Sequence, residues 1–255
     1  MSLAARETFL GTAGWAIPRT SAEAFPEAGA GLQRYAARFN AVEINSTFYR
    51  SHRPQTLARW RAMTPEGFRF AVKTPRAITH VARLAGCAAR LSQFLEEIAP
   101  LAEKLGPILV QLPPSLGFDP PTAADFLQVL RTQWSGPVAV EPRHVSWFTP
   151  EAAKLLRTHL VAQVAADPAC TAAAALPGGD RGLVYRRLHG SPRLYYSAYG
   201  PAAIDALARA IAGTPACETW CVFDNTASGA AASDALALAA QLAKQSAQSS
   251  PPALR

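Results

Sequence analysis

The sequence predicts an α/β fold of the (β/α)8 TIM-barrel-like type, a single domain over residues 1–244 followed by a polar, proline-containing tail at 245–255 that reads as disordered. Three observations predict it. Eight short apolar runs alternate with helical segments, which is the count and spacing of that barrel. The runs are apolar on both sides, as in Val138-Ala139-Val140, and so suit strands covered on both faces of a parallel sheet. No G-x-G-x-x-G or G-x-x-x-x-G-K-[ST] follows a run, which counts against nucleotide-binding versions of the alternative architecture, a doubly wound open sheet.

In chain order, the first strand is expected at 8–13 and ends in Gly14-Trp15. A helix over 32–39 places Leu32, Tyr35, Ala36 and Phe39 on one buried face. The second strand, 41–47, carries Glu43 and Asn45 on one side and Val42 and Ile44 on the other. A short helix over 56–63 is broken by Thr64-Pro65-Glu66-Gly67, and the third strand, 68–73, closes on Lys73. The longest helix is expected over 88–105 with a break at Pro100, before a fourth strand at 108–112 stopped by Pro113-Pro114. Thr122 is the N-cap candidate for a helix over 122–134.

The fifth strand runs into Glu141, and Pro142, with no N–H for a ladder, marks its end. Thr149-Pro150-Glu151 reads as N-cap, N1 proline and first-turn acid of a helix to about 160. A sixth strand at 161–167 leads into a weak alanine-rich crossover and a turn at 177–180. The seventh strand is 183–188, followed by a helix over 201–212, the eighth strand at 220–224 and a final helix over 229–244.

Composition sets outer limits. The start of the chain shows no signal-peptide core, and no stretch is apolar enough for a membrane span, so a cytoplasmic protein is expected. Cys87, Cys170, Cys217 and Cys221 match neither a zinc motif nor a disulfide framework and read as reduced, mostly buried thiols. The net charge of +7 is uneven: eleven basic residues lie between Arg34 and Arg90 against only Glu43 and Glu66. That concentration suggests an anionic partner, with nucleic acid among the candidates.

A barrel gathers its strand ends at one mouth, where this fold places chemistry. The residues delivered there are Trp15, Glu43 with Asn45, Lys73, Gln111, Glu141 with Arg143 and His144, Asp167, Arg187 with His189, and Asp224 with Asn225. Glu141, Glu43 and His189 are the catalytic candidates, since acid–base chemistry needs titratable groups on one rim. Lys73, Arg143, Arg187, Asn45, Gln111, His80, His144, Asp167, Asn225, Trp15 and Tyr49 are the ligand-binding candidates. Asn225 to Gly229 before the last helix suits a phosphate, and Tyr195, Tyr196 and Tyr199 around the seventh loop suit either stacking on a ring or a lid. The histidine spacings match no metal motif, and neither metal nor cofactor is expected.

Several of these stretches, taken together and in order, resemble a known family. They are V-E-I-N-S-T-F-Y from Val42, F-A-V-K from Phe70, Q-L-P-P-S from Gln111, A-V-E-P-R-H-V-S-W from Ala139, Y-R-R-L-H-G from Tyr185 and F-D-N-T-A-S-G-A-A from Phe223. The chain is similar to the domain of unknown function 72 family, also called YecE-like. The resemblance implies a TIM-barrel-like fold and no established reaction; Asp224 stands where a second asparagine is expected. The expected function is acid–base catalysis on a small phosphorylated or carbohydrate-like ligand. Two alternatives stand beside it: a non-catalytic nucleic-acid-binding protein using the arginine-rich surface of residues 34–90, and a metal-dependent isomerase or endonuclease.

Overall fold

The computed structural model describes residues 7–216 and 218–249. Its strands are β1 (Glu7–Thr12), β2 (Ala41–Ile44), β3 (Arg69–Lys73), β4 (Leu105–Gln111), β5 (Val138–Glu141), β6 (Ala162–Gln163), β7 (Ala165–Asp167), β8 (Gly178–Gly179), β9 (Leu183–Leu188) and β10 (Glu218–Phe223). The helices are α1 (Gly31–Ala36), α2 (Pro54–Ala62), α3 (Ala88–Ile98), α4 (Pro120–Gln133), α5 (Pro150–Thr158), α6 (Pro201–Ala212) and α7 (Ala230–Ser249). The result is a mixed α/β fold with two largely parallel sheets, ordered β1-β10-β9-β7 and β2-β3-β4-β5-β6-β8. No helix of the described residues is long and apolar enough to cross a membrane.

The sixth strand is divided where one continuous run was expected. β6 pairs with β5 through Ala139↔Ala162, whereas β7 pairs with β9 through Ala165↔Arg186. The reason lies in Gly178 and Gly179, which run antiparallel along the other edge of β6 and occupy the place that β9 would otherwise take. Gly179 has φ +70°, a conformation that a side chain would strain. Its crossover holds only a 3-10 turn, Ala172–Ala175, capped by Thr171.

Other differences have local causes. Pro100 ends α3 at Ile98, and a 3-10 turn, Ala99–Lys104, takes over, so α7 rather than this segment is the longest helix. The N-cap of α4 is Asp119, whose carboxylate accepts from the Thr122 N–H, with Pro120 in the first turn. α7 continues to Ser249, past the expected end at Lys244; residues 250–255 of the expected tail lie outside the described residues. Cys87 and Cys221 are buried free thiols, Cys170 is exposed, and Cys217 lies outside the described residues.

Both sheets turn one face onto a shared apolar cluster of Phe9, Ala41, Ala71, Leu109, Ala139, Ala162, Val164, Leu183, Tyr185, Trp220 and Val222. The opposite faces pack against the helices. Tyr35, fully buried on α1, ties the two sheets together: its hydroxyl accepts from the Thr12 N–H (2.8 Å) and donates to the Ala41 carbonyl (3.0 Å). Replacing Tyr35 with Phe strands both backbone groups at an expected cost of about 1–3 kcal/mol. Calorimetry should read this as a Tm lowered by roughly 2–4 °C per kcal/mol; an unchanged Tm would show that the bond is dispensable.

Candidate functional site

Side chains alternate along a strand, so each strand's inner row continues outward in steps of two. From the apolar cluster those steps lead from Ala41 to Glu43, Ala71 to Lys73, Leu109 to Gln111, Ala139 to Glu141, Tyr185 to Arg187 and His189, and Val222 to Asp224. The parallel pairing carries all of these to the same end of the sheets. An apolar floor therefore carries an ionisable layer directly above it.

Arg187 is the hub of that layer and is 0% exposed. Its Nε and Nη2 donate to the two oxygens of Glu43 (3.0 and 2.7 Å), Nη1 donates to Glu141 Oε2 (2.7 Å), and Nη2 also reaches Asp224 Oδ2 (3.0 Å). Burial opposes its charge, but Glu43, Glu141 and Asp224 together overcome that and hold it protonated well above the usual guanidinium range. Tyr185 donates to Glu43 Oε2 at 2.9 Å while its ring stacks parallel to Trp220. Four of the five N–H groups of Arg187 are thus committed to acids of the protein itself.

His189, 2% exposed, lies between two carboxylates: Nδ1 is 3.0 Å from Asp224 Oδ2 and Nε2 is 2.8 Å from Glu141 Oε1. Ionised carboxylates only accept, so these two contacts favour a ring protonated on both nitrogens, while Arg143 Nη2, which can only donate, also lies 3.3 Å from Nε2. Burial pushes its pKa down, and the charge of Glu141 with the bonds to Asp224 and Glu141 more than reverses this. Burial likewise raises Glu141, yet Arg187, His189 and Arg143 hold it well below the carboxylate range. Asp224 is lowered against its burial by Arg187 and His189. Arg143 donates to Glu141 Oε1 through Nε (3.2 Å) and Nη2 (3.1 Å), and to the Tyr195 hydroxyl through Nη1 (3.1 Å).

Lys73 is 6% exposed, with Nζ 4.4 Å from the centroid of the Phe48 ring. Burial and the charge of Arg187 bring its pKa down to about 8. Four basic groups (Lys73, Arg143, Arg187, His189) therefore face three acids (Glu43, Glu141, Asp224), which leaves the fully ionised cluster with surplus positive charge. A cavity of about 360 Å³ opens onto the cluster, lined by Pro114, Glu141, Arg143, Pro168, His189 and Leu194 among others.

The remaining candidates lie around this centre. Gln111 sits in register with Glu141 and is 7% exposed. Asn45 opens the 3-10 turn of Ser46–Phe48, and its Oδ1 is buried without a partner among the described residues. His80 bonds the Thr79 hydroxyl (2.8 Å) with its ring against Phe48; burial and the charges of Lys73 and Arg76 lower its pKa. Trp15 packs edge-on against Trp60, and Tyr49 is 76% exposed. The Asp167 carbonyl accepts from the His189 N–H and the Tyr199 hydroxyl.

Two residues take local partners instead. His144 Nδ1 caps the turn of Val145–Trp147 by accepting from the Ser146 N–H (3.3 Å), and also bonds the Ser146 hydroxyl (2.7 Å). Asn225 Nδ2 donates to the Ser197 carbonyl and to Asp234, which leaves Oδ1 buried without a partner among the described residues. Asp224, placed at the strand ends by the sequence but given no catalytic or binding role, is a full member of the cluster, and Tyr185 was missed. Its signal was present: Tyr185, Arg187 and His189 are spaced by two on one face of β9 and just beyond it. Among the described residues, no group of three or more His, Cys, Asp or Glu side chains is arranged to hold a metal ion.

Comparison with known proteins agrees with this architecture. A 64-residue stretch is 42% identical to the UPF0759 protein YecE of Escherichia coli strain K12, a match covering 25% of this chain and 24% of that one. The crystal structure of a DUF72 family protein from Thermotoga maritima MSB8 is 27% identical and superposes with a TM-score of 0.79 over 92% of this chain and 99% of that one. A DUF72 family protein from Enterococcus faecalis V583, 24% identical, shares the fold with a TM-score of 0.77 over 93% of this chain and 96% of that one. The model for the protein of unknown function DUF72 family matches residues 9–255, nearly the whole sequence, and the chain belongs to that family.

Proposed function

We propose that the protein is an enzyme that carries out acid–base chemistry on a small anionic ligand, phosphorylated or carbohydrate-like, at the C-terminal ends of its strands. The observation that carries this reading is His189, held between Glu141 and Asp224 with its pKa raised, at the wall of a cavity that Arg143 also lines. A ring whose Nε2 proton is shared with Glu141 can pass it through that carboxylate to a bound substrate and recover it without turning. Glu141 is the partner that stabilises the ring's charge. Glu43, fully engaged by Arg187 and Tyr185, fixes the position of Arg187 rather than meeting substrate. Arg143, 19% exposed, is the cation available to an incoming anion.

A closed (β/α)8 barrel goes with this proposal. Its support is the parallel bridge Ala13↔Glu43 between the ends of β1 and β2, the Gly14 N–H bonded to the Glu43 carbonyl (2.8 Å), and the passage from β6 to β7 between the sheets. Closure would put Glu43 and Glu141 of one sheet opposite Arg187 and Asp224 of the other, which is how they pair. A cytoplasmic location belongs to the same reading.

A thermal-shift screen against sugar phosphates and sugar acids tests it. A ligand at a hundred times its Kd adds about 2.7 kcal/mol. The expected outcome is a Tm rise with one of these classes that vanishes in Arg143→Ala; shifts that survive that substitution would move the site elsewhere. Nucleic-acid binding is a second reading with its own observation: Arg50, Arg76 and the exposed Tyr49 line a groove of about 510 Å³. That reading expects oligonucleotide binding that weakens steeply with salt and persists in Glu141→Gln.

A further inference from the structure

Of the four lysines in the chain, Lys73 and Lys104 are each 6% exposed. Their amines are treated very differently. Lys104 Nζ donates to the carbonyls of Arg61 (2.8 Å) and Thr64 (2.6 Å) and to the Thr64 hydroxyl (3.2 Å), so its charge is satisfied where α2 ends. Lys73 Nζ has no hydrogen-bond acceptor and no carboxylate within 4.0 Å among the described residues, and faces the Phe48 ring instead. The acids that could neutralise it, Glu43, Glu141 and Asp224, are committed to Arg187.

An ammonium with little access to water and no acceptor in the protein is costly, and the cost falls when the group gives up its proton. Burial and the neighbouring guanidinium act in that direction, with the pKa down to about 8. For stability alone, an apolar side chain at this position would serve better. A buried, readily neutralised amine beside an acid–base pair is the arrangement that nucleophilic attack on a carbonyl needs.

We propose that Lys73 is a covalent catalytic residue that forms an imine with an aldehyde or ketone bearing a phosphate or carboxylate group, an inference that rests on the strand-end site proposed above. The Nζ lone pair attacks the carbonyl carbon, forming the C–N bond, and the C=O π pair moves onto oxygen, which takes a proton. The nitrogen loses a proton, a second protonation releases the hydroxyl as water, C=N forms, and the nitrogen gives up its second proton. Amine and carbonyl thus become imine and water, with nothing oxidised or reduced. The anionic group is drawn by Arg143, whose side chain remains partly exposed beside the cluster.

Borohydride trapping tests the proposal. The full-length protein is incubated separately with glyoxylate, pyruvate and dihydroxyacetone phosphate, reduced with sodium borohydride, and mapped by peptide mass spectrometry. The expected result is a reduced adduct at Lys73 well in excess of any at the exposed Lys154 and Lys244, and its loss in Lys73→Arg and Lys73→Met. Mapping on the unsubstituted chain keeps the test valid even where a variant fails to fold. Adducts confined to Lys154 and Lys244, or none with any of the three carbonyls, overturn the imine. The same compounds are run in thermal shift beside Arg143→Ala. A shift lost in that variant without trapping at Lys73 overturns the lysine chemistry and leaves the site; no shift and no trapping overturn both.

Discussion

Arg187→Met is expected to cost about 3–5 kcal/mol, the usual penalty for removing one partner of a buried ionic cluster. At roughly 2–4 °C per kcal/mol in a chain of this size, Tm should fall by about 6–20 °C. The methionine fills much of the volume, so the loss comes mainly from Glu43, Glu141 and Asp224, which keep their burial and lose their shared cation. The pH dependence separates this from a packing defect. In the parent protein Glu141 and Asp224 lie below their ordinary values, so their contribution is present above the unfolded carboxylate range and lost as pH falls through the lower folded values. Without the guanidinium, burial dominates and raises these carboxyls; stability should then increase as pH falls from 7 towards 5. Urea melts at the two pH values measure it. A variant that is equally unstable at both, with the parent's slope, would refute the electrostatic account.

His189→Asn should lower turnover by about 10²–10⁴-fold, the range ascribed to a positioned general acid or base. A readout that needs no substrate is available in the imidazole titration by long-range 1H–15N NMR. His189 should deprotonate above the ordinary histidine value, after His52 and His80, both of which are held below it, chiefly by burial. Because its folded pKa is raised, the stability His189 contributes is fully present below the unfolded value and is lost as pH rises through the folded one. The same pH rise should therefore weaken the parent protein more than the Asn variant. Were His189 to titrate before His80, the imidazolium clamped by two carboxylates would be ruled out.

Much of this was legible because strand geometry is local. The inner positions of β2, β5 and β9 follow from alternation, and alternation delivers Glu43, Glu141, Arg187 and His189 to one end. Which charges would meet was not legible. Arg187 was read as a ligand-binding candidate, and no local pattern shows that three acids, on strands distant in sequence, would all engage it. The divided sixth strand was also hidden, because it depends on Gly178 and Gly179 reaching an edge that no local pattern in 161–167 reveals. The start of α4 was readable and misread: Asp119 followed by Pro120 is a cap and N1 pair, and it outranks Thr122.

The division into two sheets also bears on how the chain acquires its fold. β2 to β6 pair in sequence order, so the six-stranded sheet grows by short loop closures. In the other sheet β7, β9 and β10 can pair among themselves, but it is completed only when β1, near the start, finds β10, near the end, a pairing of very high contact order and hence slow. Until then Glu43 and Glu141 sit on the early sheet with no guanidinium between them. Folding should accordingly run in an early, local phase and a late one that joins the ends of the chain, and the late phase should carry the pH sensitivity.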